Sequence, residues 1–319
     1  MKQHLHAAVQ KCLALTLIIL TAHLTSFSQY GDKSTYWEAG ITLGPSNFLG
    51  DIGGNPGRGT TFLKDNTFNT TTLSFGLWGA YAVKPYLSFR LALNFGKLQA
   101  DDADIKGKGG LEEARKIRNS NFRSKLTEFL VLAEVYPTVL LENDPEDTWL
   151  KLRPYGIVGV GVFKFKPQGT RPDNGQWVDL QPLHTEGQGF SQYPDRKPYK
   201  LTQLNIPMGV GVKYFLTETF HVALEVIHRK TFTDYIDDVS TTYIDENAFY
   251  NNNMPPAQAA LASMMANKSG LNTSTRFGTG DKRGTATNND AYYTVNLKLG
   301  WRITSNDRWG NSTRCPIRF

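Results

Sequence analysis

The sequence predicts an all-β fold, an eight-stranded antiparallel up-and-down transmembrane β-barrel with long extracellular loops. Three observations predict it. In the stretch Tyr292 to Ile303, Tyr293, Val295, Leu297, Leu299, Trp301 and Ile303 alternate with Tyr292, Thr294, Asn296, Lys298, Gly300 and Arg302. Period-two alternation makes a strand with one apolar and one polar face, and the run matches a tilted membrane strand of roughly 9–11 residues. Seven further stretches repeat the scheme, joined by connections that alternate between long and short, as in outer-membrane barrels. Aromatic residues fall near both ends of these strands, where the membrane–water interfaces would lie. A soluble barrel would turn the apolar face inward and scatter charge outside; here the polar face carries both charge signs.

The elements follow in order. Lys2 and Lys11 precede the apolar run Cys12 to Leu20, and Ser26-Phe27-Ser28 is a small-x-small site. Residues 1–28 therefore read as a signal peptide cleaved before Gln29, with a run too short to cross a bilayer as a helix. Residues 29–303 form the expected barrel and 304–319 a periplasmic tail. The first strand, Tyr36 to Phe48, sets Trp37, Ala39, Ile41 and Leu43 against Glu38, Gly40, Thr42 and Gly44. A Gly-rich loop separates it from the second, Thr70 to Val83, with Leu73, Phe75, Leu77 and Tyr81 on its apolar face. Lys84-Pro85 turns the chain into the third, Tyr86 to Lys97, where Leu87, Phe89, Leu91, Leu93 and Phe95 point outward. A charged loop with a short helix in Leu111 to Arg118 leads to the fourth, Phe122 to Tyr136, with Phe129, Val131, Ala133 and Val135 outward. Asn143-Asp144-Pro145 marks the next turn.

The fifth strand, Leu152 to Phe165, leaves its phase open, because apolar residues occupy both faces; Gly156, Gly159 and Gly161 suit curvature. A polar loop, Lys166 to Lys200, precedes the sixth strand, Leu201 to Leu216, and Thr217-Glu218-Thr219 turns into the seventh, Phe220 to Phe232. The longest loop, Thr233 to Asp290, leads to the closing strand. The aromatics give two expected girdles. One holds Trp37, Tyr81, Tyr86, Tyr136, Tyr155, Tyr214, Phe220 and Trp301; the other holds Phe48, Phe68, Phe95, Phe122, Phe163, Phe232 and Tyr293.

The inward faces should bring together Glu38, Arg90, Glu128, Glu134, Lys213, Glu225, Arg229, Lys298 and Arg302. Eight strands enclose a space about filled by side chains. Unpaired ions there would cost several kcal/mol each, so the charges are expected to pair as a plug that fixes register. Lys298 and Arg302 are expected partners for acids such as Glu38. No pore follows, and no catalytic, cofactor or metal residue is expected. His228 falls in the lipid-facing phase with no serine tied to it, and with Lys230 it suits anionic headgroups. The run Asp234, Asp237, Asp238, Asp245 and Glu246 lacks EF-hand spacing and reads as a solvated turn, with a divalent cation as the alternative. No zinc spacing occurs. Cleavage would remove Lys2 and Lys11 and take the formal charge from +6 to +4, a mild basicity that suits an anionic lipid surface, and no recognition motif points to nucleic acid. After cleavage Cys315 is alone, which excludes an internal disulfide and favours a free thiol.

Three segments carry a resemblance: EAGITLGPSNFLGDIGG (Glu38 to Gly54), RPYGIVGVGVFKFKP (Arg153 to Pro167) and RKTFTDYIDDVSTTYID (Arg229 to Asp245). They resemble the PorG-like outer-membrane β-barrels of the type IX secretion and gliding system of Gram-negative bacteria. The insert Asn247 to Asn289 has no counterpart there. The resemblance implies a non-enzymatic outer-membrane component that sits in lipid and associates with a periplasmic ring lipoprotein and its partner protein. Contact would fall on Gln29 to Thr35, the short turns and the tail, with Trp309, Cys315 and Phe319 as candidates. The alternative is a structural or ligand-binding surface barrel; a lipid-modifying enzyme built on His228 and Asp234 is a further rival.

Overall fold

The computed structural model describes residues 35–53, 68–105, 110, 112–141, 151–217, 219–252, 254–271 and 273–303. The expected signal peptide, the Asn143-Asp144-Pro145 turn and the tail carrying Trp309, Cys315 and Phe319 lie outside the described residues.

Nine strands occur among the described residues: β1 (Tyr36–Leu49), β2 (Thr72–Lys84), β3 (Leu87–Asp101), β4 (Asn121–Val135), β5 (Leu152–Thr170), β6 (Trp177–Asp179), β7 (Thr202–Phe215), β8 (Phe220–Thr231) and β9 (Ala291–Ile303). Eight of them close a barrel in the cyclic order β1-β2-β3-β4-β5-β7-β8-β9. Every pairing is antiparallel, and β9 returns to β1 from Trp37↔Ile303 to Leu49↔Ala291. The short β6 pairs only with the far end of β5, at Gln168 to Thr170. It thereby lengthens one hairpin beyond the barrel.

The alternation seen in sequence decides which face is which. Leu43, Leu77, Leu91, Val131, Val160, Val210, Leu224 and Leu297, one from each barrel strand, all lie on the exposed exterior. Arg90, Glu134, Glu225 and Lys298 are buried within. An apolar exterior around a charged interior, with every strand edge paired, satisfies what hydrocarbon demands of a spanning sheet. Leu224→Arg, in mid-strand, should destabilise the folded barrel by about 2–4 kcal/mol. Urea titration in lipid vesicles checks this; a change below about 0.5 kcal/mol, the range of ordinary surface substitutions, would contradict lipid contact at that face.

The structure settles the fifth strand's phase. Arg153, Tyr155, Ile157, Phe163 and Phe165 point inward, and Leu152, Val158, Val160 and Val162 outward. Both faces look apolar because the barrel interior holds its own aromatic layers. One comprises Trp78, Leu130, Leu132, Tyr136, Tyr155 and Ile157. The other, at the long-loop end, comprises Phe48, Leu98, Phe122, Phe163, Phe165 and Tyr292, with Ile52, Ile236 and Val239 from the loops above.

This second layer corrects the two-girdle expectation. At the short-turn rim Trp37, Tyr86, Tyr214, Phe220 and Trp301 are exposed. Trp37 meets Tyr81 at 4.8 Å and Phe220 meets Trp301 at 5.8 Å between ring centroids. Tyr136 and Tyr155, however, turn inward. At the other rim Phe232 is exposed, but Phe48, Phe122, Phe163 and Tyr293 are buried. Three rings expected as an outer belt there, Phe48, Phe122 and Phe163, instead seal the mouth.

Beyond that mouth the long loops fold into a cap. The short helix expected in the third connection is α1 (Glu112–Arg118). The last connection carries α2 (Asn247–Asn251) and α3 (Pro256–Ala266). Ala259, Ala262, Met265 and Ala266 recur at helical spacing and form the buried face of α3. They pack with Leu180, Leu183, Phe190, Ile244, Ala248 and Phe249. The insert without a counterpart is therefore a packed element with its own small core.

Candidate functional site

Two buried polar networks stand on either side of the aromatic seal. The lower one fills the lumen. Glu134 receives Lys298 Nζ at 2.7 Å, Arg90 Nη1 at 3.0 Å, Ser88 Oγ at 3.2 Å and Tyr136 Oη at 2.5 Å. Glu225 receives Arg90 Nη1 at 2.6 Å, Tyr155 Oη at 2.5 Å and Lys298 Nζ at 3.3 Å. Two acids and two bases thus form a closed ring, with Lys298 also 4.1 Å over the Trp78 ring. Charge pairs this dry survive only with close ionic partners; Arg90 Nε and Glu225 Oε2 are the ring atoms left without a hydrogen bond.

Glu38 takes Lys213 Nζ at 2.9 Å, with His221 Nδ1 3.7 Å away. Nearer the seal, Glu128 accepts from Asn205 and Tyr292 at 2.7 Å, Asn94 at 2.9 Å and Arg229 at 3.3 Å. One pairing differs from expectation. Arg302 lies opposite Glu38 in the β1–β9 register, yet its guanidinium stacks 3.7 Å over Tyr36. The Glu38 carboxylate turns instead toward Lys213 and His221. His221 lies on the polar face of its strand, but an uncharged imidazole gives no sequence signal of ionic company. Arg153 joins the interior through the phase of β5 and faces the Phe215 ring at 5.4 Å. A small pocket remains among Thr42, Asn94, Phe95, Leu126, Glu128 and Thr294.

The upper network holds the cap. Arg118 of α1 donates to both Asp102 oxygens at 2.8 Å, to the Asp51 carbonyl at 2.6 Å and to the Arg283 carbonyl at 2.7 Å. Arg283 donates to Glu186 Oε1 at 2.8 Å and to the Asp238 carbonyl at 2.7 Å. Glu186 also accepts the backbone N–H groups of Ser240 and Thr241 and the Thr241 hydroxyl. Asp238 accepts from Thr185 at 2.5 Å and Tyr199 at 2.6 Å. These bonds tie the first, third, fifth and last long connections together.

The acidic run is consequently no solvated turn. Asp234, Asp237 and Asp238 are buried, while Asp245 and Glu246 are outside, Glu246 pairing with Arg276. Sequence reading missed Asp51, which joins them from the first connection, and Asp290, from the far end of their own. Asp237 accepts the Ile52 and Val239 N–H groups at 3.0 Å. Asp290 accepts the Ile236 N–H at 2.8 Å, and Asp51 the Thr285 N–H at 2.6 Å. Burial, reinforced by Asp237 and Asp51, pushes the Asp234 carboxyl up to about 9. Burial and neighbouring acids likewise raise Asp237 and Asp290 well above the usual range. Burial raises Asp238 to about 6 against the opposing pull of Arg283. Nearby, burial and Arg283 bring Lys268 down to about 8. Among the described residues no three His, Cys, Asp or Glu side chains converge to hold a metal ion. His228, the other residue of the enzyme rival, sits on β8 opposite Met208 and Tyr293.

A closed barrel with a lipid-compatible exterior and a filled, ion-paired lumen is an outer-membrane β-barrel protein, and this chain is one. It belongs to the family described as a domain of unknown function, DUF6089, whose model matches residues 14–181. No curated protein matches it. Among solved structures it is similar to Ail, the attachment invasion locus protein of Yersinia pestis, at 10% identity over 84% of this chain and 99% of that one, with a TM-score of 0.35. Neisserial surface protein A matches at 10% identity over 86% and 100%, with a TM-score of 0.33. OprG from Pseudomonas aeruginosa matches at 12% identity over 85% and 96%, with a TM-score of 0.34.

Proposed function

We propose that the protein is a non-enzymatic component of type IX secretion that anchors the periplasmic ring complex or assists its assembly. The observation that carries the non-conducting part of this reading is the doubly closed lumen. The Arg90–Glu134–Lys298–Glu225 ring fills its middle, and Phe48, Phe122, Phe163, Phe165 and Tyr292 cover its mouth. A barrel closed in this way acts through its surfaces. The secretion role itself rests on the PorG-like segments. Two of these meet in space, since Ile52 of the first donates to Asp237 of the third. The second supplies Tyr155 to the lumen ring.

Barrels of this type carry short turns on the periplasmic side and long loops outside. That orientation puts the connections 85–86 and 216–219, and the 3-10 turn Pro137–Leu141, toward the ring lipoprotein and its partner. The N-terminal segment from Gln29 and the tail with Trp309, Cys315 and Phe319 complete the proposed contact surface. Affinity capture from detergent extracts should recover both ring proteins, and deletion should block secretion through this system. Recovery of neither, with secretion intact, refutes the role.

The folded cap favours a second reading, a barrel that binds an external ligand through its loops. Replacing residues 247–289 with a short turn separates the two. Normal secretion with loss of surface binding supports the ligand-binding role; loss of secretion with assembly of the barrel intact supports the first.

A further inference from the structure

The cap contains more buried acid than its bases answer. Arg118 is committed to Asp102, and Arg283 to Glu186 and Asp238. Asp51, Asp234, Asp237 and Asp290 share the remaining space, and none of them forms an ion pair among the described residues. Backbone N–H groups occupy one oxygen each of Asp51 and Asp290 and both of Asp237. What is left over is specific. Asp234 is 6% exposed and Asp290 1% exposed. Both carboxylate oxygens of Asp234 and Oδ1 of Asp290 are buried without a hydrogen-bond partner. The Ser240 hydroxyl approaches Asp234 but does not reach bonding geometry.

Buried polar atoms are almost always satisfied, and three orphaned carboxylate oxygens in one seam require an answer. Glycine backbone packs closely against two of these acids. A side-chain carbon on Gly50 would lie 2.2 Å from Asp290 Oδ1, and one on Gly284 would lie 2.7 Å from Asp51 Oδ2. Both carboxylates are thus approached by glycine backbone, where any larger residue would crowd them.

We propose that Asp234 and Asp290, with Asp51 completing the set, bind a divalent cation, Ca2+, at the seam where the first and last long connections meet above the barrel mouth. The donors are all oxygen, which suits a hard cation. Calcium accepts six to eight oxygens in flexible geometry, so the carboxylates need not converge beforehand. Asp234, with neither oxygen engaged, supplies the movement by rotating its side chain. The bound ion would link the 50–53 segment, the 233–240 segment and the start of β9, clamping the cap to the barrel. This inference does not depend on the secretion role.

The test uses the full chain purified in detergent, stripped with EDTA and titrated with CaCl2 by calorimetry. Hydrogen exchange is followed with and without the metal. One Ca2+ should bind per chain and slow exchange in peptides covering 50–53, 233–240 and 285–291. The double variant Asp234→Asn with Asp290→Asn should weaken binding by about a hundredfold or more, since loss of outer-shell partners alone costs 10–100-fold. Both changes replace a carboxyl with a neutral side chain of nearly the same shape, so the fold should persist, which a heat-shift on an unboiled gel confirms. Asp245→Asn with Glu246→Gln, in the exposed acids, should leave binding unchanged. Absence of Ca2+ binding by the wild-type chain overturns the proposal, as would binding that slows exchange elsewhere or survives the double variant. The wild-type result decides the matter even if the variant fails to fold.

Discussion

Glu134→Ala should cost the barrel about 3–5 kcal/mol, the usual cost of removing one partner from a buried ion pair. Glu134 answers two cations at once, Lys298 at 2.7 Å and Arg90 at 3.0 Å, and accepts from Ser88 and Tyr136. Its loss leaves Glu225 alone to neutralise both bases and strands the two hydroxyls. Urea titration of the barrel in lipid vesicles, followed by tryptophan fluorescence, measures the loss. Removing Lys298 as well, as Lys298→Met, should recover part of it, because Arg90 then pairs with Glu225 and no base is left over. An additive double mutant, or a single mutant within about 0.5 kcal/mol of wild type, would mean that the ring does not specify the barrel.

The second large effect is confined to the cap. Glu186→Ala removes the acceptor for Arg283, for two backbone N–H groups and for the Thr241 hydroxyl. Arg283 keeps only Asp238 as its acid, 3.8 Å away. The expected loss is again about 3–5 kcal/mol, set by an uncompensated buried charge. It should open the loops without unfolding the strands, since local opening draws only on local contacts. Limited proteolysis should cut within 184–200 and 233–290 far faster than in wild type, with the barrel's heat-shift unchanged. Equal protease resistance in both proteins would show that Glu186 does not hold the cap.

Much of the barrel was legible because period-two alternation is a local property. Leu87, Phe89, Leu91 and Leu93 announce their common face regardless of what lies beyond them. The inward acids and bases followed from the same parity. The burial of several aromatics was legible by that rule as well. Phe48 shares the face of Glu38, Phe122 that of Glu128, and Tyr136 that of Glu134. Assigning those rings by their distance from the strand ends placed them in the belt, whereas parity sends them inside. Phe163 and Tyr155 were different. Their strand is apolar on both faces, so its phase could be fixed only by its neighbours β4 and β7.

Which charges pair was beyond the sequence. Glu38 and Arg302 are cross-strand neighbours, but a side chain in a filled barrel reaches across the lumen as readily as along the sheet. Lys213, from a strand not adjacent to β1, reaches Glu38 first. The cap was further out of reach. Asp51 is more than half the chain away from Asp234 and Asp290, and no local pattern ties them together. Their neighbours Glu186 and Arg283 likewise look in sequence like ordinary solvated loop residues.

The sequence by itself therefore determined the strands, their lipid-facing sides and the inward placement of charge, all of which follow from alternation along one segment at a time. Only the tertiary structure decided the partners of those charges, the aromatic seal over the mouth and the gathering of unpaired acids beneath the cap. Those features arise from contacts between segments brought together by closure of the barrel, where burial turns a loop carboxylate from a solvated charge into one that needs a partner.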